Sequence, residues 1–173
     1  MLSGLDSGSN IYKGESLKYI GLALILAFST VSYQAVAHDK DAEAASIMET
    51  PENTLEAYRS AIESLDDTNM PHLFTQDALV FENGNAEGSF GNYLAHHLGP
   101  ELKEFESFTF SNETIDISVI GETAIASETY AYTIVLKDGR TIERLGVTTA
   151  VLVKRDESWK IAQYHSSSRT PKK

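Results

Sequence analysis

The histidines are the first candidates for chemistry in this sequence, and two of the five are adjacent. His96 and His97 stand in the segment YLAHHLGPEL, which has the pattern of a helix end. Metal-binding histidines on a helix are three or four positions apart, because only that spacing puts both side chains on one face. The doublet therefore does not form a metal pair, and we expect no metal or other cofactor. A metal site that combines His97 and His165 with Glu82 or His72 is the alternative.

His97 is the member of the doublet that borders the predicted core. Apolar side chains recur every four positions over residues 90–98 and mark the buried face, with Tyr93 and His97 at its edge. His96 lies about 100° further round, nearer solvent, where a positive charge in the last turn suits the helix dipole. Tyr93 and His97 are therefore candidate pocket residues.

His165 lies on the last predicted strand. Alternate side chains of a strand share a face, which groups Trp159, Ile161, Gln163 and His165. Because the first two are apolar, we expect this face to point inward. Gln163 and His165 would then form the polar end of a ligand pocket that Trp159 also lines. The alternative is that His165 bonds a buried partner and only specifies packing.

An earlier predicted strand carries a second stripe of candidate pocket residues, namely Glu128, Tyr130 and Tyr132. Arg144 lies on the next strand, after the turn at Asp138. Inside an apolar pocket, an arginine would bind an anion or a carboxylate through its guanidinium group. More often it pairs across strands with a surface glutamate, which is the favoured interpretation of Arg144.

The elements that must position these residues begin with helices. Apolar residues at helical spacing predict a first helix from about Leu55 to Leu65, with Asn53 or Thr54 as its N-terminal cap. A short helix follows around residues 70–74, then a strand over 78–83. The third helix covers 90–98 and is expected to stop at Gly99 and Pro100.

The second half of the chain has a different character. Long segments rich in Thr, Val, Ile and Tyr alternate with turns, and they predict strands over residues 105–119, 123–137, 141–154 and 159–168. Helices followed by an antiparallel meander predict an α+β domain, with the helices packed on one face of a curved sheet.

Two segments of the chain resemble a known family. TLEAYRSAIESLDDTNMPHLFTQDALVFENG looks like the opening of the nuclear transport factor two-like superfamily, and WKIAQYHSSS is similar to the last strand of many members. The superfamily includes SnoaL-like polyketide cyclases, ketosteroid isomerases and kinase association domains. The resemblance covers about residues 50–168. It implies a cone-shaped, strongly curved antiparallel sheet packed against three N-terminal helices, a cystatin-like α+β roll. It also implies an internal pocket and a homodimer formed through the sheet.

The resemblance adds two site residues. In ketosteroid isomerases an acidic residue that ends the first strand is the general base, and Glu82 falls at the matching place. Tyr58 resembles the isomerase tyrosine that bonds the substrate's oxygen. A carboxylate at the mouth of an apolar cone has a raised pKa, as proton transfer near neutral pH requires. The second acid of the isomerase site could only be Glu128 or Asp116, and neither fits the pattern. The alternative is an exposed Glu82 beside a turn.

Residues 1–37 have the pattern of an export signal. The apolar run YIGLALILAFSTVSYQAVA follows Lys13 and Lys18 and ends in a small-x-small cleavage site. We therefore expect a periplasmic or secreted protein that begins near His38 and has no membrane association after cleavage; an uncleaved anchor is the alternative. The rest of the chain is divided into a flexible lead-in (38–51), a SnoaL-like domain (52–169) and a tail (170–173).

Charge and composition exclude several classes of function. The net charge of −11 should repel phosphate backbones, so we expect no nucleic-acid partner. The chain has no cysteine, which excludes thiolate metal sites and cysteine nucleophiles.

The sequence contains no complete catalytic set, which decides the order of the predicted functions. An exported domain that binds a small, largely apolar molecule in its cone-shaped pocket comes first. An isomerase, cyclase or dehydratase that uses Glu82 or His165 as general acid or base is the alternative. A dimerisation or assembly domain is a further one.

Overall fold

The computed structural model describes residues 49–172, so the predicted export signal and most of the lead-in lie outside the described residues. The helical elements are α1 (Pro51–Glu63), a 3₁₀ turn (Met70–Leu73), α2 (Phe90–Tyr93), a π turn (Leu94–Leu98) and α3 (Gly99–Glu104). The strands are β1 (Phe74–Glu82), β2 (Asn85–Ser89), β3 (Phe105–Ile120), β4 (Thr123–Leu136), β5 (Thr141–Arg155) and β6 (Ser158–Arg169). Within this part of the chain, no helix has both the length and the apolar character needed to cross a membrane.

The six strands form one curved sheet in the order β2-β1-β6-β5-β4-β3. The predicted α+β class is confirmed. The sheet is mixed, however, because β1 runs parallel to β6 while every other neighbouring pair is antiparallel. The sequence also gave no sign of β2, a five-residue edge strand that pairs with β1.

Helix α1 begins earlier than predicted. Thr50 is the N-terminal cap, and its hydroxyl accepts the backbone N–H of Asn53 at 3.1 Å. Pro51 follows at the first helical position, where its missing N–H has no consequence. Thr54, one of the two predicted caps, is instead fully buried, and its hydroxyl donates to the Trp159 carbonyl oxygen at 3.1 Å. The bond ties α1 to β6.

The predicted helix stop at Gly99 and Pro100 is wrong. A π turn over Leu94–Leu98 links α2 to α3, and the N–H of Gly99 donates to the carbonyl oxygen of Leu94, five residues back. Pro100 then sits in the first turn of α3, where no N–H donor is needed. The helical segment therefore continues to Glu104 and closes one side of the sheet.

Four aromatic rings form the centre of the core between α1, α2 and the inner face of the sheet. Phe74 and Phe90 stack with ring centroids 3.6 Å apart and an interplanar angle of 6°. Tyr58 meets both rings and Tyr164 edge-on, at centroid distances of 5.1 to 6.1 Å. Edge-to-face and stacked contacts of this kind add to the free energy of burial. They also fix the position of Tyr58, which lines a cavity.

Candidate functional site

A narrow cavity of about 90 Å³ lies between α1, the helical segment and the inner face of the sheet. Its lining contains eight aromatic rings, two carboxylates, three serines and no lysine or arginine. Drug-sized ligands need roughly 300–1,000 Å³. The cavity as it stands therefore suits a compact molecule.

Glu82 lines this cavity at the end of β1. Its Oε2 accepts the hydroxyl of Tyr93 at 2.8 Å, and Tyr93 also lines the cavity. The side chain of Glu82 is 23% exposed, so it is neither sealed in the core nor turned out to solvent. The structure thus brings together a carboxylate and a tyrosine that the sequence places eleven residues apart.

His97 lies beside Glu82 and contacts three carboxylates. Its Nδ1 is 3.3 Å from Glu87, and its Nε2 is 3.3 Å from Glu101 and 3.8 Å from Glu82. Burial lowers the pKa of His97, but the hydrogen bond to Glu87 and the charges of the three glutamates outweigh it and raise the pKa overall. Its neighbour His96 is exposed, as its position on the helix predicts.

Tyr58 differs from the other cavity tyrosines in its hydrogen bonding. The hydroxyls of Tyr93, Tyr130, Tyr132 and Tyr164 all have partners. The hydroxyl of Tyr58 has none among residues 49–172, although Tyr58 is only 2% exposed and lines the cavity. Burial raises the pKa of Tyr58 well above its usual value, so the hydroxyl stays protonated. It is available to whatever occupies the cavity.

Tyr130 and Tyr132 line the cavity from β4, as the predicted stripe places them. The hydroxyl of Tyr130 bonds Thr148 at 2.9 Å, and burial raises its pKa to about 12. The Tyr130 ring lies against Gly146 on β5, where any side chain would collide with it. The hydroxyl of Tyr132 donates to Ser168 at 3.1 Å. These bonds hold two walls of the cavity in place.

Arg144 forms no ion pair with a carboxylate in the described part of the chain, so the favoured surface pairing with a glutamate is wrong. It lies opposite Tyr132 on β5, half-buried, and its partners are hydroxyls. Nε donates to Ser168 at 3.3 Å and Nη1 donates to Thr170 at 3.2 Å. Arg144 therefore supports the cavity wall through Ser168 and does not itself line the cavity.

Glu128 is buried but does not line the cavity, which corrects its prediction as a pocket residue. It faces α1, where Arg59 covers it and forms an ion pair with it. Arg59 also contacts Glu56 at 2.6 Å and Glu113 at 3.0 Å. Burial raises the pKa of Glu128, and the opposing effect of Arg59 does not cancel it.

The predicted inward position of Gln163 and His165 is wrong. β6 carries one extra residue after Ile161, because Ile161 pairs with Leu152 and Gln163 with the preceding residue of β5. Such a bulge reverses the alternation of side chains beyond it. Gln163 and His165 are therefore exposed on the outer face.

Trp159 lies before the bulge, on the buried part of β6. It is buried as expected but packs in the core and does not line the cavity. The residues of β6 that do line the cavity are Tyr164, Ser166, Ser167 and Ser168.

Several cavity residues were missed from the sequence. Phe105, Phe108 and Phe110 line the cavity from β3. The spacing of Phe108 and Phe110 could have indicated an aromatic face, but Phe105 shares it only because of a register irregularity between Phe105 and Ser107. Glu101 lies on α3, which the expected stop at Gly99 and Pro100 excluded. For the serines of β6 no local signal predicts the bulge. Within residues 49–172, no group of three or more histidines and carboxylates has the geometry of a metal site.

The curved six-stranded sheet and the cavity beneath it define a domain of the nuclear transport factor two-like superfamily. The sequence profile of the SnoaL-like domain matches residues 52–171, and the chain belongs to that family. None of the curated proteins compared with the chain matches it.

Solved structures share this fold at low sequence identity. A superfamily protein from Salmonella enterica is 21% identical with a TM-score of 0.60, covering 78% of this chain and 94% of its own. A proposed dehydratase from Streptomyces avermitilis is 19% identical with a TM-score of 0.60, covering 77% and 99%. A proposed ketosteroid isomerase from Shewanella frigidimarina is 22% identical with a TM-score of 0.59, covering 66% and 92%. At these identities the similarity shows the fold.

Proposed function

We propose that this SnoaL-like domain binds a compact, largely apolar molecule in its aromatic cavity, with Tyr58 and Glu82 as hydrogen-bonding partners. The observation that carries the proposal is the unpartnered hydroxyl of Tyr58 at the wall of a cavity that Glu82 also lines. This hydroxyl is not among the fully buried polar atoms without a partner, so water can reach it through the cavity, and a ligand that hydrogen-bonds it takes the place of that water. The rings around it favour an apolar body.

Tyr58→Phe should weaken binding of a compact alcohol, because the variant loses the one tyrosine hydroxyl of the cavity that has no partner among residues 49–172. We expect phenol to bind about 2- to 10-fold more weakly, from the roughly 0.5–1.5 kcal/mol of one hydrogen bond. Titrations followed by two-dimensional NMR measure this with phenol, cyclohexanol and 3-cyclohexen-1-one.

Tyr130→Phe is the matched control, because it removes a cavity hydroxyl that already bonds Thr148. Phenol binding should change less in Tyr130→Phe than in Tyr58→Phe. If none of the three compounds shifts resonances of the cavity residues, a neutral ligand is excluded. Conversion of the enone to its conjugated isomer, lost in Glu82→Gln, would instead make the cavity an active site. That outcome supports the catalytic alternative with Glu82 as the base; exposed His165 lies outside the cavity.

We also propose that the outer face of the sheet joins two copies of the chain, as the resemblance implies. Strands β4, β5 and β1 expose apolar side chains on the outer face of the sheet, among them Ile125, Val147 and Leu79, respectively. Their neighbours on this face include Ser127, Thr129, Thr149 and Gln163. The same face also carries Asp116, opposite Ser127, and Arg169, opposite Leu145, so two copies would meet across a patch that is uncharged at its centre and has charges of both signs at its edges.

Val147→Glu should convert the dimer to a monomer, because the substitution puts a charge on each copy inside the contact. Val119→Glu is the control: Val119 is 55% exposed and Val147 53%, but Val119 lies on the other side of the sheet. Sedimentation velocity measures the change. A monomeric parent protein, or equal dissociation in both variants, would contradict the proposal.

A further inference from the structure

The charges around the cavity are not balanced at the end where Glu82 lies. Glu82, Glu87 and Glu101 all contact His97, so three carboxylates face one cation even when the histidine is protonated. No lysine or arginine lines the cavity. Arg144, on the far wall, donates to the hydroxyls of Ser168 and Thr170 and not to these carboxylates. This end of the cavity therefore has a deficit of positive charge.

The remainder of the cavity suits a cation as well. Its lining contains eight aromatic rings, and the negatively polarised faces of such rings attract ammonium groups. Tyr58 adds an independent observation: its residue is 2% exposed, it lines the cavity, and its hydroxyl oxygen has no partner in the described chain. That oxygen can accept an N–H bond from an ammonium group, as can the carboxylates of Glu82 and Glu101.

We propose that the ligand of this cavity is a compact molecule that carries a protonated amine, with the ammonium group at Glu82 and Glu101 and the apolar body among the rings. The inference rests on the proposed function and names the chemical class of its ligand. An anion would meet uncompensated carboxylates, and a neutral alcohol would leave the charge deficit unchanged. Burial raises the pKa of Glu101, with the charges of Glu82 and Glu87 acting in the same direction against His97. A bound ammonium group would relieve that unfavourable charge.

Three probes with the same tert-butyl body separate the effect of charge from that of shape. They are tert-butylammonium, tert-butanol and pivalate, titrated into the full chain at pH 7.5 and constant ionic strength. We expect tert-butylammonium to bind at least about tenfold more tightly than tert-butanol, which a cation–π and carboxylate contact of roughly 1.4 kcal/mol would give. Pivalate should bind most weakly.

Two single-charge variants locate the effect. Glu101→Gln removes a carboxylate that lines the cavity, and Glu87→Gln removes one that contacts His97 but does not line the cavity. Glu101 is half-exposed, so Glu101→Gln should fold normally, and circular dichroism verifies this. We expect Glu101→Gln to reduce tert-butylammonium affinity about threefold or more and Glu87→Gln to reduce it less, and we expect Glu101→Gln to change tert-butanol affinity by a smaller factor than tert-butylammonium affinity.

Each outcome bears on one of the two proposals. Equal or tighter binding of tert-butanol would overturn the amine inference and leave a neutral binding cavity. Tightest binding of pivalate would also overturn it and would point to an anion site on the wall that Arg144 supports. If neither these probes nor phenol, cyclohexanol and the enone shift any cavity resonance, the proposed function itself fails.

Discussion

Arg59→Met should lower the free energy of unfolding by about 3–5 kcal/mol, because it leaves a buried carboxylate without its partner. The side chain of Glu128 is only 4% exposed and that of Arg59 13%, so water cannot replace the lost guanidinium. Arg59 also contacts Glu56 and Glu113, and its removal leaves three like charges close together. Urea unfolding at pH 7.5 measures the loss.

The loss of unfolding free energy caused by Arg59→Met should depend on pH, and the direction of that dependence follows from the pKa of Glu128. Burial already raises the pKa of Glu128 in the folded protein, although Arg59 opposes the rise. A carboxyl group with a raised folded-state pKa favours folding below its unfolded-state pKa, and that contribution is lost as the pH rises through the folded-state value. Without Arg59 the pKa rises further. The difference between variant and parent should therefore shrink as the pH falls from 7.5 towards 5.

Two further variants test whether the lost stability comes from the unpaired Glu128 and not simply from removing any arginine. Adding Glu128→Gln to Arg59→Met should recover much of the stability, because the buried charge is then gone. Arg140→Met removes an arginine that is 74% exposed and, among residues 49–172, forms an ion pair only with Asp138, so the unfolding free energy should change by less than about 0.5 kcal/mol. Equal losses for Arg59→Met and Arg140→Met would contradict the interpretation of Glu128 as a buried, paired charge.

The strands of the second half were predictable because their signals are local. The segments at 105–119, 123–137 and 141–154 differ from β3, β4 and β5 by at most one residue at each end. Alternation also placed Tyr130 and Tyr132 on the face that lines the cavity. Both β4 and β5 keep their alternation where these residues stand, so a period of two is enough to assign faces.

The site was less predictable, because two departures from regular geometry decide it. The bulge after Ile161 moves Gln163 and His165 outward and brings Tyr164 and the serines inward. The π turn before Gly99 extends the helical segment and brings Glu101 to the cavity. Neither is encoded by a local pattern, since each depends on how the segment packs against its neighbours. The position of Glu82, taken from a family resemblance, did not depend on either.

The ion pair between Arg59 on α1 and Glu128 on β4 could not be predicted from the sequence either. Glu128 was assigned to the pocket from its strand stripe alone. Its partner Arg59 lies 69 residues earlier on α1, outside the apolar stripe that predicted the buried face of that helix. Periodicity assigns a side chain to a face but does not identify what covers it. The same stripe therefore contains two residues that line the cavity, Tyr130 and Tyr132, and one, Glu128, whose charge is paired with that of Arg59 on α1.

Phe74→Ala should lower the free energy of unfolding by about 3–5 kcal/mol, the usual cost of deleting a buried aromatic ring. Phe74 is 4% exposed, stacks on Phe90 and meets Tyr58 edge-on, so its removal leaves a hole at the centre of the core. Guanidinium unfolding measures the loss. Because Tyr58 loses one of the rings that position it, phenol binding should also weaken.

Phe81→Ala is the matched control on the same strand. Phe81 is only half-buried, and its ring neighbour is His165 on the outer side of the sheet. Measured in the Val147→Glu background, where the outer face is uncovered, deleting it should cost less than half as much as Phe74→Ala, because solvent then reaches the ring and no closed cavity forms. It should also leave phenol binding unchanged. If both variants lost the same stability, the aromatic cluster around Phe74 would not be the centre of the core, and the fixed position of Tyr58 would need another cause.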